Sequence, residues 1–295
     1  MLSVKWIVKD AEHGMMVRDF LKDVANISRN MVKVLKHEGG QILINQRDVT
    51  VREKLQKNDC IQVIFPPEER GKFLLPEPIP LEIVYEDEHL LVINKQTKMA
   101  TMPSPHHKAG TIANGLIHYY EEKGWQYTAH VVTRLDRDTS GLMLIAKHGY
   151  SHSLFQQEKI ERSYQAIVEG KLDNQKGTIN APIARKPTSI IERMVAESGK
   201  HAITHYHVLR NLANGTYVEV NLETGRTHQI RVHFSSLGHP LVGDDLYGGS
   251  LTYIDRQALH CTSLRFIHPI TKEQCHFQSA LPNDLTQLLD DLDRK

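Results

Sequence analysis

The chain has 295 residues, 40% hydrophobic and 24% charged, with a net charge of +1. That length suits about two domains and a core of useful size. The near-neutral balance excludes a molecule that is basic all over, so any nucleic-acid contact has to be a local surface.

The first stretch leans basic. Residues 1–67 carry 11 Lys and Arg against eight Asp and Glu, and the remainder carries 25 against 27. Met16–Val24 reads as a short helix. Ser28 then suits the N-cap of a second helix over Arg29–His37, because its hydroxyl can take a free N–H of the first turn. Ile27, Met31 and Leu35 recur at i, i+4, i+8 as a buried stripe, and Arg29, Lys33 and Lys36 fall on another face. By themselves these charges read as a solvated helix face. Gly39–Gly40 ends the helix, QILINQRDVTV alternates as strands around a polar turn, and the segment from Asp59 through CIQVIF is a further strand. Residues 67–80, PEERGKFLLPEPIP, are expected to be an extended linker, since Pro76, Pro78 and Pro80 fix φ and restrict the residue before each. The chain so divides into a small module at 1–66, the linker, and a large domain over 81–295.

The large domain opens with LEIVYEDEHLLVINK, two strands joined by an acidic turn. Helices are expected over Thr111–Lys123, Tyr150–Ile160 and Thr227–Leu237, the last with Ile230, Phe234 and Leu237 inward. Leu142–Lys147, Ser163–Glu169, Thr204–Arg210 and Tyr217–Leu222 read as strands, as do ALHCTSLRFIH and QCHFQSA. Strand runs interspersed with a few helices point to an α+β fold, its catalytic sheet mainly antiparallel and flanked by helices and loops, preceded by a small α/β module.

Cys60, Cys261 and Cys275 are odd in number and widely spaced, which speaks against a disulfide framework and a zinc site. The 18 histidines include no H-E-x-x-H, and the adjacent pair His106–His107 does not share a helix face, so no metal is expected. MLSVKWIVKD lacks an apolar run of signal-peptide length, and no 18-residue apolar segment occurs. The expectation is a cytoplasmic monomer without membrane contact.

The chemistry concentrates in VVTRLDRDTSGLMLIAK, residues 131–147. A strand–loop–strand here places Asp136 on a loop held at both ends by core, a good platform for a positioned carboxylate. Asp136 or Asp138 simply capping the turn is the competing reading. Farther on, if Thr227 starts a helix, His228, Arg231 and Ser235 share one polar face, where Arg226 and Arg231 meet a phosphate, a carboxylate or only solvent.

TRLDRDTSGL resembles the signature of the RluA-type RNA pseudouridine synthases, and further blocks follow in the family's order: SYQAIVEG, ETGRTHQIRVHFSSLGHPLVGDDLYG and LHCTSLRFIHP. With the strands around them they run from about residue 81 to 283. The resemblance places the family's aspartate nucleophile on Asp136, its active-site tyrosine on Tyr164 and its basic partner on Arg231. It makes Arg134, Arg226 and His228 candidates for holding substrate. SRNMVKVLKHEGGQILINQRDVTVREKLQKNDCIQV is similar to the alpha-L RNA-binding module over roughly 15–66, which implies that Arg29, Lys33 and Lys36 lie against structured RNA. The chain departs from the family at Thr133, where histidine is commonest, and at Cys261, where alanine is usual. A larger departure is Gln96-Thr97-Lys98, which stands where the family has proline, alanine and glycine.

The resemblance implies an isomerase without a cofactor. It breaks the bond between ribose and uracil, rotates the base and rejoins it through carbon, with the target uridine flipped from its stack. Asp136 then acts as in a retaining glycosidase, at the sugar or at the base. Tyr164 stacks on the uracil or relays a proton, and Arg134 fills the vacated space or grips the flipped nucleotide. The implied partner is RNA, ribosomal first and transfer RNA second. Two competitors stand beside this reading: a non-catalytic RNA-binding or ribosome-assembly protein, and a glycosidase of free nucleosides.

Overall fold

The computed structural model describes residues 2–71, 74–104 and 107–294. His106 of the histidine pair and residues 72–73 of the linker lie outside the described residues.

The first 66 residues form a four-stranded antiparallel sheet and two helices. The elements are β1 (Ser3–Ile7), α1 (Val17–Asp23), α2 (Arg29–His37), β2 (Gln41–Ile44), β3 (Arg47–Asp48) and β4 (Cys60–Ile64), in sheet order β1-β4-β2-β3. Ser28 caps α2 as its spacing suggests, its hydroxyl accepting from the Met31 N–H at 3.2 Å. Ile27 and Leu35 are buried, Met31 is half-buried, and Arg29, Lys33 and Lys36 are exposed. Asn45 and Gln46 both take positive φ, the geometry that lets a two-residue turn join twisted strands. Strand β1 escaped the sequence reading because it is an edge strand with only Val4 fully buried, so its alternation is faint.

The larger part runs β5 (Ile83–Glu86), β6 (Leu90–Lys95), α3 (Ile112–Glu122), β7 (His130–Val131), β8 (Ser140–Ala146), α4 (Gly149–Phe155) and β9 (Glu161–Glu169). It continues with β10 (Lys176–Asn180), β11 (Ile183–Arg185), β12 (Arg193–Val195), β13 (Ile203–Leu212), β14 (Gly215–Leu222), α5 (Gln229–Ser236), β15 (Leu259–Ile267), β16 (Gln274–Gln278) and α6 (Asn283–Asp293). A ten-stranded sheet has the order β10-β13-β14-β9-β15-β8-β6-β5, with β16 on β15 and β7 on β8, while β11 and β12 pair apart. Every pairing in it is antiparallel except β15 with β8, at its middle. Strands β6 and β8 are buried almost throughout, so they read as continuous apolar runs rather than alternations. The fold is the mixed, mainly antiparallel α+β architecture expected.

Three helices differ from expectation. α4 ends at Phe155, five residues short of Ile160, because the chain turns through Gln156–Lys159 to enter β9. α5 starts at Gln229 rather than Thr227, and Leu237 is 46% exposed rather than inward. α6 was missed altogether, although Leu285, Leu288, Leu289 and Leu292 recur with helical spacing and all are buried.

The two sheets share packing. Tyr150 and Leu154 of α4 belong to the same apolar cluster as Phe20, Leu21 and Leu35 of the first module. The Tyr150 hydroxyl donates to the Ala25 carbonyl at 2.8 Å, and its ring stacks on Phe65 with centroids 5.0 Å apart. The stretch after Phe65 is fastened too: Glu68 takes the Gly149 N–H at 2.6 Å and pairs with His130 at 2.7 Å.

His148 caps α4, its Nδ1 accepting from the Ser151 N–H at 3.2 Å while Nε2 faces Nδ1 of His89 at 3.3 Å. The first contact needs a neutral ring, because a protonated Nδ1 cannot accept. Burial, then the neighbouring His89, pushes His148 down to about 3. Burial and Arg256 push His260 down to about 4. The unfolded chain therefore takes up protons that the folded chain refuses. Stability from these rings is full above about pH 6.5 and is lost as pH falls toward about 3, at up to ~1.4 kcal/mol per unit for each ring. Urea unfolding at pH 7.5 and at pH 5 measures this, and replacing His148 with Asn should flatten the slope. An equally steep slope in that variant removes His148 as its cause.

Candidate active site

The loop between β7 and β8 carries Asp136, and its backbone is fastened from several sides. The Thr101 hydroxyl donates to the Leu135 carbonyl at 2.8 Å. Buried Lys95 donates to the carbonyls of Gln96, Met99 and Arg137 at 2.7, 3.0 and 2.9 Å. Arg256 reaches the Asp138 carbonyl at 3.3 Å, and the Gln257 amide donates to the Thr139 hydroxyl at 3.1 Å. Arg256 is itself aimed by a two-pronged pairing with Asp284 of α6 at 2.7 and 3.0 Å. Burial pushes Lys95 down to about 7, against the pull of Asp138 and Asp136. Leu135 anchors the loop in the main core. A side chain displayed from so constrained a backbone loses little further freedom when it acts.

The loop re-enters the sheet at Gly141, where β8 meets the parallel strand β15. Its φ is +113°, and an added Cβ would lie 2.3 Å from the Cys261 carbonyl oxygen. Only glycine fits both the backbone and the space. Thr133, where histidine is commoner in the resembling family, is buried, and its hydroxyl accepts the Leu144 N–H at 2.8 Å. In the other departure Lys98 stands at φ +60°, the left-handed conformation that glycine takes freely, and pairs with Asp255 at 2.8 Å.

Asp136 is one-quarter exposed at its side chain. Its Oδ2 accepts from Nη1 of Arg231 at 3.1 Å. Arg231, on α5, gives its Nε and Nη2 to the two oxygens of Asp244, both at 2.7 Å, and Asp244 is fully buried. Burial works against the Arg231 charge, but Asp244 and Asp136 outweigh it and hold the guanidinium above its ordinary value. The guanidinium also lies over the Tyr247 ring, 4.9 Å from its centre. Asp136 and Arg231 thus meet, the pairing that the resemblance implied and the spacing left open. Asp244 and Tyr247 were overlooked as individuals, although both lie in the quoted stretch GDDLYG.

The second oxygen of Asp136, Oδ1, is less engaged. Nε2 of His228 stands 3.9 Å from it, beyond hydrogen-bond range. His228 does not sit on the helix face with Arg231 and Ser235. It is the N-cap of α5 in the left-handed conformation at φ +57°, and its ring turns toward Asp136 by another route. The Tyr247 hydroxyl accepts from the Arg193 N–H at 2.9 Å, which leaves its own proton for Nδ1 of His228 at 2.8 Å. The proton of the neutral ring is then on Nε2, facing Asp136. Burial depresses His228 despite the pull of Asp136, so it is neutral at pH 7.

Tyr164 lies on β9, between Val220 of β14 and Cys261 of β15, and is buried. Burial, then Cys261, raises its phenol above the usual tyrosine range, and the Asp136 charge adds to this. It is therefore a neutral hydroxyl, suited to packing against a ring rather than to serving as a base. Arg134 is exposed and forms no hydrogen bond or ion pair among the described residues. Arg226 is exposed and donates to the His201 carbonyl at 2.9 Å. Arg29, Lys33 and Lys36 sit apart on α2 of the first sheet. Among the described residues no group of three His, Cys, Asp or Glu could hold a metal ion, and no helix is long and apolar enough to cross a membrane.

The RNA pseudouridylate synthase family matches residues 89–236. An uncharacterized RNA pseudouridine synthase of Bacillus subtilis is 48% identical over 279 residues, 93% of this chain and 98% of that one. The ribosomal large subunit pseudouridine synthase D of Escherichia coli K12 is 37% identical over 257 residues, 81% of this chain and 78% of that one. Among solved structures, human RNA pseudouridylate synthase domain containing 1 superposes with a TM-score of 0.55 at 25% identity, over 76% of this chain and 97% of that one.

Proposed function

Since the chain belongs to the RNA pseudouridine synthase family, an isomerase family acting on RNA, we propose that it converts specific uridines of ribosomal RNA to pseudouridine with Asp136 as nucleophile. The observation that carries the assignment is the division of labour at Asp136. One oxygen is held by a buried, doubly paired arginine, and the other has no hydrogen bond among the described residues. A carboxylate oriented through one oxygen, with the other left to react, is what attack on a flipped nucleotide requires. The N1–C1′ bond of uridine breaks, the ring turns, and a C5–C1′ bond forms. The proton on C5 is lost and N1 gains one, so nothing is consumed. Tyr164 packs against the uracil. Arg134, exposed two residues before Asp136 and without a partner among the described residues, takes the space the base leaves or holds its backbone.

Ribosomal RNA is favoured as substrate by the likeness to the large-subunit enzyme of Escherichia coli. Mapping pseudouridine in ribosomal and transfer RNA from cells with and without the protein tests this. Loss of defined sites in large-subunit RNA is expected, and losses confined to transfer RNA overturn the substrate assignment.

The first module is assigned a clamp role because Arg29, Lys33 and Lys36 are exposed on one helix with no acidic partner among the described residues. Changing all three to Gln should weaken RNA binding and flatten the salt dependence by up to about 2–3 log units per log of salt, at roughly 0.7–0.9 per phosphate contact. An unchanged slope removes these side chains from the interface.

A further inference from the structure

We propose that Arg162 is the residue that holds a phosphodiester of the RNA strand next to the target uridine. The inference rests on the reading above, that a uridine within an RNA strand reacts at Asp136.

Arg162 lies on β9 two residues before Tyr164, so both side chains leave the same face of the strand. It faces Leu264 of β15 across the ladder, in the middle of the sheet. Its guanidinium lies against the loop that leads from β14 to α5. A Cβ added at Gly225 would be 3.0 Å from Nη2 and 3.1 Å from Nη1. Glycine at that position leaves the room the guanidinium occupies. The same loop continues through Arg226 and His228 to Arg231, so Arg162 borders the catalytic group at a second point. Its charge is felt by both Tyr164 and Cys261.

The side chain has no partner of its own. Its Nε is buried without a hydrogen bond, and no carboxylate lies within ion-pair reach among the described residues. The two fully buried arginines of this region are paired: Arg231 with Asp136 and Asp244, and Arg256 with Asp284. Buried or half-buried guanidinium groups are ordinarily satisfied, because an unpaired donor in a poorly hydrated place is costly. Arg162 is only half-buried, so part of the side chain still meets solvent. A planar cation in that state, beside the residue that packs on the uracil, is completed by an anion brought with the substrate. RNA carries one such anion per nucleotide, and the guanidinium fork matches it. The carbonyl oxygens of uracil are the competing partners, but they are neutral and leave the charge uncompensated.

The test uses the full-length enzyme and the RNA whose modification the pseudouridine map identifies. If the wild-type protein modifies no RNA at all, the reading of its activity fails, and that outcome is distinct from those below. Arg162→Gln should raise KM by about 10-fold or more with little change in kcat, as loss of a charge-assisted bond to substrate requires. The salt dependence of binding should become shallower by about 0.7–0.9. Arg162→Lys should recover part of the affinity. Gly225→Ala, which intrudes on the guanidinium from outside, should reproduce the KM defect in a protein that keeps its arginine. A methylphosphonate at the one linkage Arg162 holds should cost the wild type the same factor and cost Arg162→Gln nothing further. The proposal is overturned if Arg162→Gln lowers kcat with KM and salt slope unchanged, which places the residue at the uracil. It is equally overturned if neutral linkages on either side of the uridine weaken both proteins alike.

Discussion

Asp136→Asn is expected to abolish pseudouridine formation, by at least about 10⁴-fold in kcat, the scale on which removing a nucleophile acts. The amide keeps the shape of the carboxylate. Its oxygen can still accept from Arg231, and the loop is unaffected, because Thr139 bonds the Asp136 backbone carbonyl and the other fastenings grip neighbouring residues. The thermal midpoint and RNA affinity should therefore stay close to wild type. What is lost is the charged lone pair on the oxygen that has no hydrogen bond. Pseudouridine in hydrolysed RNA and binding of the same RNA, measured on one preparation, check both halves. Appreciable turnover by a preparation shown by mass to be fully asparagine would falsify the assignment. A non-catalytic RNA-binding protein on the same scaffold predicts no activity in either protein.

The second large effect is expected at Arg231, and it is compound. Arg231→Met strips the Asp136 carboxylate of its one close hydrogen bond and leaves Asp244 buried without the two bonds that satisfied it. Breaking one side of a buried ion pair costs about 3–5 kcal/mol of stability, so the variant should unfold well below wild type. In the fraction still folded, kcat should fall by about 10²–10³-fold, the range seen when a charge-stabilising donor is removed. Arg231→Lys restores the charge but cannot reach both carboxylates as a fork, and should recover stability only in part. Asp244→Asn separates the two effects: it weakens the grip on Arg231 while leaving the Asp136 contact in place. Unfolding midpoints and single-turnover rates on the three variants decide the matter. An Arg231→Met protein that is stable and active would show that the pair is ornamental.

Charge pairs of this kind illustrate why part of the site was legible and part was not. The local signals were direct. Ser28 caps α2 where spacing and side-chain chemistry suggested, and the apolar runs of β6 and β8 were visible as strands. Asp136 sits on a strand–loop–strand whose ends are apolar, so its display on an anchored loop follows from its neighbours in the chain. The family signature supplied Tyr164, which no periodicity would have singled out, and named Asp136 as the partner of Arg231, which helical spacing had put only on a polar face. The short-range error at His228 has an equally local cause. Helical phase was counted from Thr227, but His228 leaves the helix in a left-handed turn, and its ring is aimed by Tyr247 from nineteen residues away.

What tertiary structure alone decided is which charges share a partner. Arg231 meets Asp136 across 95 residues of chain and Asp244 across 13, and Arg256 crosses 118 residues to the catalytic loop while Asp284 of α6 aims it. Gly141 is obligatory because β15, far along the chain, passes within 2.3 Å of where a Cβ would be. Arg162 is conspicuous only because no carboxylate among the described residues folds back to neutralise it. Sequence spacing reports period and local chemistry, which set strands, helices and caps. Pairing of buried charges depends on which surfaces the sheet order brings together. That order arises from packing many apolar strands at once, and no window of neighbouring residues contains it.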